Sequence, residues 1–332
     1  MQRFGPATLA LLLTFGLSPP ARALTRHGSD RRAAITTKNK APARASHRRA
    51  LPVPTYTRAG LPNIQAQAAL VVDLKGGGPP LYEKNANAVR PIASISKLMA
   101  AMVILDRKPD LNALTTITEE DRRLALRGAR SRLPVGAQLT NRDLLHAALM
   151  ASDNRAVPAL GRAVGLSPEQ LTAAMNARAR ELGLKHTFFG DPTGLDHRNV
   201  STPAEVVVML RAALSYPLIA EICQRPTYVA YALGRQRVPI EYVNTDVLVR
   251  MPRYHVLGGK TGYNDQAGYC LAVAARLQDA AGRTRDIAMV FLGAQGKLTR
   301  FADFTRAAQW LAERGPGQVR TGSLDAHSSK TL

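Results

Sequence analysis

Apolar positions divide the chain into strand-like ends and a helix-rich middle. An apolar stretch at 68–74, a glycine-rich turn at 75–78 and a short run at 80–83 predict a β-hairpin. After Pro226 the pattern again predicts strands, in the stretches 228–233, 238–243, 257–263, 269–277 and 287–292. The last periodic stretch, 298–312, has apolar residues at helical spacing and predicts an amphipathic helix.

Helical patterns dominate between the two groups of strands. Residues 98–105 form an apolar run, and most of 106–200 carries helical patterns separated by short loops. Residues 167–170 have the composition of a capping box, Gly183 provides a stop for that helix, and 202–205 repeat the start pattern. We therefore predict an α+β fold, in which an antiparallel sheet flanked by N- and C-terminal helices carries an inserted all-helical lobe.

The two ends differ in composition from the rest of the 332-residue chain. Residues 1–23 combine a basic start, a short apolar run and an Ala-Arg-Ala cleavage pattern, which predicts a signal peptide and not a membrane span. Residues 24–54 are predicted to be a basic disordered linker, because they contain few core-forming side chains. A catalytic domain at 55–314 and a polar tail at 315–332 follow. We expect an exported, periplasmic protein that is soluble or peripherally associated with the envelope.

The formal net charge of +21 raises the question of a nucleic-acid partner. Residues 24–50 hold +7 of this charge, and residues 51–314 hold +11, with the arginines scattered over the predicted helices. The sequence has neither a basic stripe between aromatic residues nor a zinc-finger or RNA-binding motif, so nucleic acid is not an expected partner. We expect a solvated basic surface, whose functional interpretation is weak attraction to the anionic envelope.

Cys223 and Cys270 are the only cysteines. Export permits a disulfide between them, but nothing in their spacing requires one, and two buried thiols are an equal alternative. The cysteines and the seven histidines are scattered along the chain. Neither a metal site nor a cofactor is therefore expected.

The candidate chemistry centres on Ser-Ile-Ser-Lys at 94–97, directly before the apolar helix. If the helix begins near Ser94, then Ser94 and Lys97 lie on one face within side-chain reach. A serine hydroxyl needs an adjacent base to become a nucleophile, and a partly desolvated lysine supplies one without histidine. By itself, the pattern is also compatible with Ser94 as a helix N-cap.

Two further motifs favour the chemical interpretation. Ser-Asp-Asn at 152–154 follows a helix predicted to end near Met150, and Lys-Thr-Gly at 260–262 lies in a strand-like region. A Lys-Thr-Gly match alone is expected about 0.05 times in a chain of this composition, and the three motifs must also occur in this order. Together they are a specific pattern.

The three motifs resemble those of the penicillin-binding protein and serine β-lactamase superfamily. The wider sequence, over roughly residues 60–313, is similar to that of the D-alanyl-D-alanine endopeptidases among the low-molecular-mass penicillin-binding proteins. The stretches that carry this similarity are Arg-Pro-Ile-Ala at 90–93, Ser-Arg-Leu-Pro-Val-Gly at 131–136, Asp-Pro-Thr-Gly-Leu at 191–195 and Gly-Lys-Thr-Gly-Tyr at 259–263. The resemblance implies a β-lactamase/transpeptidase-like fold, with the catalytic groove between the sheet and the helical lobe.

Ser94 and Lys97 are assigned as nucleophile and base. For Lys97 to be neutral near pH 7, its pKa must fall from about 10.4, and both burial and the nearby cation Lys260 are expected to lower it. The resemblance implies that Ser152 relays the proton. It also implies that Asn154 orients Lys97 and the substrate.

The resemblance further assigns the Lys-Thr-Gly strand to substrate binding. The main-chain N–H groups of Ser94 and Tyr263 would form the oxyanion hole. Lys260 and Thr261 would face the terminal carboxylate of the substrate. Gly262, with no side chain, would let the substrate backbone approach the strand.

Three interpretations remain open. The first is a DD-peptidase that acts on peptidoglycan stem peptides and is acylated by β-lactam antibiotics. The second is a β-lactamase, which in the class with these motifs uses a loop glutamate for deacylation; residues 185–200 contain no glutamate, which favours the peptidase. The third is a non-enzymatic protein that binds the cell wall or nucleic acid through its charge.

Among DD-peptidases, both endopeptidases and carboxypeptidases break a bond after a D-alanyl carbonyl. Carboxypeptidases of this group usually carry an additional β-domain and a C-terminal amphipathic helix. Here a polar tail of about 18 residues follows Arg314. We therefore predict an endopeptidase that cleaves DD cross-links, with a carboxypeptidase that trims pentapeptide stems as the alternative.

Overall fold

The computed structural model describes residues 53–75, 77–126, 128–234 and 237–313, so the predicted signal peptide, nearly all of the linker and the tail lie outside the described residues. The strands are, in chain order, β1 (Ala68–Asp73), β2 (Tyr82–Lys84), β3 (Arg90–Pro91), β4 (Leu114–Thr116), β5 (Gln138–Thr140), β6 (Val200–Ser201), β7 (Thr227–Ala232), β8 (Val238–Val243), β9 (His255–Asn264), β10 (Gly268–Gln278) and β11 (Thr284–Ala294). The helices are α1 (Lys97–Asp106), α2 (Glu119–Leu124), α3 (Asn141–Leu149), α4 (Ala156–Ala163), α5 (Pro168–Glu181), α6 (Pro203–Leu214), α7 (Pro217–Gln224) and α8 (Thr299–Glu313).

Five strands form one antiparallel sheet in the order β2-β1-β11-β10-β9. The predicted hairpin of β1 and β2 is confirmed. Among the described strands, β9, which carries Lys-Thr-Gly, lies at one edge and pairs only with β10, where Gly262 is opposite Cys270. An edge strand leaves half of its main-chain donors and acceptors unpaired, so a substrate backbone can bind beside it.

The sheet has a hydrophobic core on each face. On one face α8 contributes Phe301, Phe304 and Trp310. The other face packs against α1, α6 and the helical lobe. This arrangement confirms the predicted α+β class, with a helical lobe inserted between strands of one sheet.

α1 runs through the larger core and positions the lysine of the first motif. Eight of its ten residues, from Lys97 to Ile104, are buried. A helix that is apolar on all sides is typical of a fully enclosed position. Burial of each large apolar side chain, such as Leu98 or Met102, stabilises the fold by about 1.5–3 kcal/mol. The start of α1 is therefore held rigidly.

The predicted starts of α5 and α6 are confirmed. Ser167 and Gln170 form the capping box that the sequence predicts. Thr202 accepts a hydrogen bond from the N–H of Glu205 in the same way. The Glu205 carboxylate does not complete a second box, because it accepts from the N–H of His186 instead.

Two details differ from the prediction. β7 and β8 form a hairpin of their own and do not join the five-stranded sheet, because their inner side chains, Ala230, Ile240 and Tyr242, pack on the core of the lobe. Alternation of apolar and polar residues predicts a strand but not its partner. In addition, no helix precedes β1 within residues 53–67, so the helix on that face of the sheet is α8.

Cys223 and Cys270 are both free and buried, which corresponds to the thiol alternative. Two arginines of α8 also differ from the predicted solvated surface, since Arg300 and Arg306 are 5% and 9% exposed. Across the described ranges, no single helix is long and apolar enough to cross a membrane. Helices α6 and α7 meet that criterion only as a pair, with a bend of 103° between them.

Candidate active site

Ser94 lies in a 3₁₀ turn, Ala93–Ser96, that leads directly into α1. Ala93 has a φ of 46°, a left-handed conformation that costs a residue with a side chain about 1–2 kcal/mol. The cap positions of the turn and of α1 are Ile92 and Ser96, and neither makes a side-chain capping bond. Ser94 is therefore not an N-cap, and its hydroxyl oxygen lies 2.9 Å from Lys97 Nζ.

Lys97 Nζ has three hydrogen-bonding neighbours. Besides Ser94 Oγ, it contacts Asn154 Oδ1 at 2.7 Å and the main-chain oxygen of Thr193 at 2.6 Å. The Lys97 side chain is only 1% exposed. The first two motifs and the loop at 185–200 thus meet at one buried amine.

Burial lowers the pKa of the Lys97 amine from 10.5 to about 8, against the opposing charges of Asp191 and Asp153. The charge interaction expected between the two lysines lowers the pKa of Lys260. Burial lowers the pKa of Lys260 well below its usual value, and the charge of Lys97 lowers it further. Two ammonium groups in one buried site repel each other, which favours a neutral amine near neutral pH.

The Ser-Asp-Asn motif forms the turn after α3. Ser152 has a left-handed φ of 60°, and Asp153 holds the turn by accepting a hydrogen bond from Ser131 Oγ at 2.7 Å. Asn154 directs its amide oxygen at Lys97. Ser152 is half-buried, and its hydroxyl makes no hydrogen bond to another described residue. Asn154 is therefore hydrogen-bonded to Lys97, whereas no hydrogen bond joins Ser152 to Lys97 in the described residues.

Gly128 lies against the Asn154 amide, a contact that no sequence pattern indicated. A Cβ at Gly128 would lie 2.1 Å from Asn154 Nδ2 and 3.1 Å from a methyl group of Leu195. Only glycine leaves room for the amide at this point. The amide therefore packs close to Gly128, with its oxygen directed at Lys97.

The Lys-Thr-Gly strand is tied to the turn after α3 by two threonines. Lys260 is 1% exposed, and its Nζ donates to the main-chain oxygen of Thr261 at 3.0 Å. Thr261 Oγ1 lies 2.8 Å from Thr245 Oγ1, and Thr245 Oγ1 donates to the main-chain oxygen of Met150 at 3.0 Å. Because a hydroxyl has one proton, Thr261 is the donor to Thr245.

Two glycines allow neighbouring segments to approach the Ser94 turn. A Cβ at Gly262 would lie 2.6 Å from Ile92 O and 3.3 Å from Ser94 N. A Cβ at Gly194, whose φ is +89°, would lie 2.2 Å from Ala93 O. The distances of 2.6 and 2.2 Å to the two carbonyl oxygens are shorter than a real Cβ shows, so both positions require glycine.

Tyr263 follows Gly262 and is 49% exposed. The ring stacks on Tyr269 with 4.3 Å between centroids, and the hydroxyl donates to Asp265 at 3.1 Å. The side chain thus makes its contacts at the surface, with Tyr269 and Asp265. What the resemblance assigns to this position is the main-chain N–H.

The loop at 185–200 is held by Asp191 and Asn199. The Asp191 carboxylate accepts from the N–H groups of Thr193 at 3.1 Å and Gly194 at 3.0 Å. Asn199 is fully buried and donates to Ser96 Oγ at 2.9 Å and to the main-chain oxygen of Asp191 at 2.8 Å. This network fixes the Thr193 carbonyl against Lys97. The sequence marked the loop as family-like but assigned no role to Thr193 or Asn199.

Chemically, the site offers a hydroxyl beside a buried amine of lowered pKa, a second buried lysine and main-chain N–H groups at a helix-start turn. This combination suits nucleophilic attack on a carbonyl group. Within the described ranges, no three His, Cys, Asp or Glu side chains are grouped so as to hold a metal ion.

Comparison with known proteins agrees with this chemistry. A family profile described as D-alanyl-D-alanine carboxypeptidase, peptidase S11, matches residues 55–296. The D-alanyl-D-alanine endopeptidase of Pseudomonas aeruginosa is 37% identical over 257 residues, which cover 76% of this chain and 80% of that protein. The D-alanyl-D-alanine endopeptidase of Escherichia coli is 33% identical over 255 residues, covering 77% and 80%. Among solved structures, the Streptomyces K15 DD-transpeptidase superposes with a TM-score of 0.68 at 25% identity, covering 75% of this chain and 98% of that one.

Proposed function

The chain belongs to the D-alanyl-D-alanine carboxypeptidase family of serine DD-peptidases, and we propose that it is an endopeptidase that hydrolyses DD cross-links between peptidoglycan stem peptides. The two endopeptidases above are 37% and 33% identical to it over 76% and 77% of its length. A carboxypeptidase of Bacillus subtilis is 30% identical over 73% of the chain. This ranking supports the cross-link as substrate, with pentapeptide trimming as the alternative.

The contacts of Lys97 carry the proposed chemistry. A neutral amine has two N–H groups and one lone pair. Asn154 Oδ1 and Thr193 O accept the two N–H groups at 2.7 and 2.6 Å, so the lone pair remains for the Ser94 hydroxyl at 2.9 Å. Lys97 then takes the hydroxyl proton as Ser94 Oγ bonds to the D-alanyl carbonyl carbon.

Attack converts the carbonyl oxygen into an oxyanion, for which the N–H groups of Ser94 and Tyr263 are the proposed donors. Loss of one such donor typically reduces the rate by about 10²- to 10³-fold. As the peptide C–N bond breaks, the leaving amine takes a proton, with Ser152 as the proposed relay from Lys97. Water then hydrolyses the Ser94 ester, and the enzyme is regenerated.

Lys260 and Thr261 are the proposed anchors of a substrate carboxylate. The pKa of Lys260 is lowered chiefly by burial, which disfavours its charge. An arriving carboxylate favours the ammonium form, since opposite charges stabilise each other. Carboxylate binding and protonation of Lys260 are therefore coupled.

A β-lactamase function receives less support from the loop at 185–200. The Asp191 carboxylate accepts hydrogen bonds from its own loop, and Asp196 pairs with Arg198 at 2.6 Å. The group of this loop that contacts Lys97 is the carbonyl of Thr193, which cannot act as a general base towards water. We therefore propose that β-lactams form a long-lived acyl-enzyme and act as inhibitors.

Purified muropeptides decide between the two peptidase activities. Wild type and Ser94→Ala are incubated separately with cross-linked dimers and with free pentapeptides, and the products are separated by chromatography. Conversion of dimers to monomers by wild type, but not by Ser94→Ala, supports the endopeptidase. Release of D-alanine from pentapeptides with intact dimers would assign the carboxypeptidase instead.

We also propose that residues 1–23 direct export and that residues 24–50 attract the protein to the anionic envelope. The support is the sequence alone, through the +7 charge of 24–50. A protein beginning at Leu51 should remain active on soluble dimers but bind sacculi less tightly at low salt. The difference should shrink with ionic strength, since exposed charges are screened within about 8 Å at physiological salt. Loss of activity on soluble dimers would contradict the interpretation of 24–50 as a linker.

A further inference from the structure

Arg300, the second residue of α8, is a buried cation that the mechanism above does not use. Its side chain is 5% exposed. Nη1 donates to the main-chain oxygen of Gly262 at 2.9 Å and lies 3.3 Å from the main-chain oxygen of Cys270. The guanidinium also lies 5.3 Å from the centroid of the Tyr269 ring. Desolvation of a guanidinium is costly, so its contact with the motif strand needs a physical reason.

The peptide between Gly262 and Tyr263 relates Arg300 to the reacting atoms. No cis peptide bond occurs in the described residues, and a planar trans peptide directs its C=O and N–H in opposite directions. The Gly262 carbonyl accepts from Arg300, so the N–H of Tyr263 points away from it. Gly262 also packs against the Ser94 turn, since its Cβ position lies 3.3 Å from Ser94 N.

Asp246 provides a counter-charge for this cation. It is 1% exposed, its Oδ1 accepts from the N–H of Leu248 at 3.0 Å, and its Oδ2 has no hydrogen-bond partner among the described residues. Its negative charge favours the protonated forms of both Arg300 and Lys260. Burial lowers the pKa of Arg300 and the charge of Asp246 opposes this shift, so the guanidinium, which stays protonated in proteins, remains a cation behind β9.

We propose that Arg300 is a positioning residue that fixes and polarises the Gly262–Tyr263 peptide, so that the Tyr263 N–H becomes a stronger and better-aimed oxyanion donor. A charge-assisted bond to a carbonyl is about twice as strong as a neutral one, and it polarises the N–H of the same peptide. The positive charge behind the peptide also stabilises the negative oxygen that develops in front of it. This inference rests on the proposed function, because the oxyanion role of Tyr263 belongs to that proposal.

The test compares Arg300→Met and Arg300→Lys with Arg306→Met. Arg306 is a matched control, since it is a buried arginine of the same helix that pairs with Asp303 and makes no hydrogen bond to β9. Stopped-flow acylation by a fluorescent penicillin separates the acylation rate constant from the dissociation constant. We expect Arg300→Met to reduce the rate constant about 10- to 100-fold with the dissociation constant changed less than about threefold. Arg300→Lys should fall in between, and Arg306→Met should acylate like wild type.

A second readout distinguishes oxyanion stabilisation from general damage to the fold. Wild type should hydrolyse an ester substrate faster than its thiono analogue, because sulfur is a weak hydrogen-bond acceptor. If Arg300 acts through the Tyr263 N–H, Arg300→Met should reduce this oxygen preference, whereas a purely structural effect should slow both substrates equally. If Arg300→Met does not fold, Arg300→Lys is measured in its place, with a smaller loss of oxygen preference expected.

The outcomes separate the two proposals. If penicillin acylates wild type, but the folded Arg300 variant keeps the acylation rate constant or the oxygen preference of wild type, the inference about Arg300 is overturned and the proposed function stands. Wild type that penicillin does not acylate would overturn both.

Discussion

Lys97 Nζ lies 2.6 Å from the main-chain carbonyl oxygen of Thr193, closer than the 2.9 Å that separates it from Ser94 Oγ. The carbonyl is part of a loop that Asp191 and Asn199 hold in place. The base is therefore oriented by the backbone and not only by the side chains of the three motifs. Because the contact is made by the carbonyl of Thr193, a substitution that keeps this carbonyl in place should have a different effect from one that moves the loop.

Thr193→Ala and Gly194→Ala should differ sharply in activity. Thr193→Ala keeps the carbonyl, so the acylation rate by penicillin should stay within about threefold of wild type. At Gly194 a Cβ would lie 2.2 Å from Ala93 O, so the loop must move and the rate should fall at least about 100-fold. Gly77→Ala, where a Cβ meets nothing within 4 Å, serves as the control for a glycine substitution. Equal losses at positions 193 and 194 would show that the carbonyl is not the important group.

The acylation rate should rise with pH through the pKa of Lys97, which burial lowers from 10.5 to about 8. Only the neutral amine accepts the Ser94 proton, and about one-tenth of it is neutral one pH unit below the pKa. We expect the rate constant at saturating antibiotic to increase about tenfold from pH 7 to 9 and then to level off. A rate that does not change between pH 6 and 9 would contradict Lys97 as the base.

The same shift affects stability with a defined sign. The folded pKa of Lys97 is below the unfolded value, so folding disfavours the charged amine. This penalty, on the order of 3 kcal/mol, is complete below about pH 8 and decreases as the pH rises towards 10.5. Catalytic readiness is thus obtained at some cost in stability.

Asn154→Asp should shift that pH profile upwards. A carboxylate in place of the amide that contacts Lys97 at 2.7 Å favours the ammonium form and typically changes a pKa by about 1–3 units. At pH 7 acylation should be at least about tenfold slower than in wild type, with part of the loss recovered at pH 9. Asn112→Asp, which adds the same charge at an exposed turn, should leave the profile unchanged. Loss of activity without a shift of the profile would indicate that Asn154 acts only through packing.

The sequence predicted those parts of the site that depend on residue type and local spacing. Ser94 and Lys97, three residues apart at a helix start, are in contact as expected. The antiparallel hairpin of β1 and β2 and the capping box of α5 also follow from local patterns. In each case the information lies within a few neighbouring residues.

Features that depend on tertiary contacts were not predictable in this way. Every residue has a carbonyl, so nothing in the sequence distinguishes that of Thr193 as a partner of Lys97. Arg300 follows Gly262 by nearly 40 residues and was expected on a solvated surface, yet it is buried against that glycine. Gly128 likewise acquires its role only when the loop packs on Asn154.

Lys97→Ala and Lys260→Ala should separate chemistry from binding. Lys97 Nζ contacts the nucleophile, so its loss should reduce the acylation rate constant by at least about 10³-fold. Lys260 is the proposed carboxylate anchor, so its loss should mainly weaken binding of substrates with a terminal carboxylate. The comparison is made at saturating and at low antibiotic. An equal loss of acylation rate at saturation in both variants would contradict this division of roles.

The central claim is that Ser94 is the acylated nucleophile, and mass spectrometry of penicillin-treated protein tests it most directly. The protein is treated with penicillin, digested, and compared with Ser94→Ala treated in the same way. We predict one covalent adduct, on the peptide that contains Ser94, and none on the Ser94→Ala protein. An adduct on Ser152, or no adduct on protein that is active on muropeptides, would contradict the account.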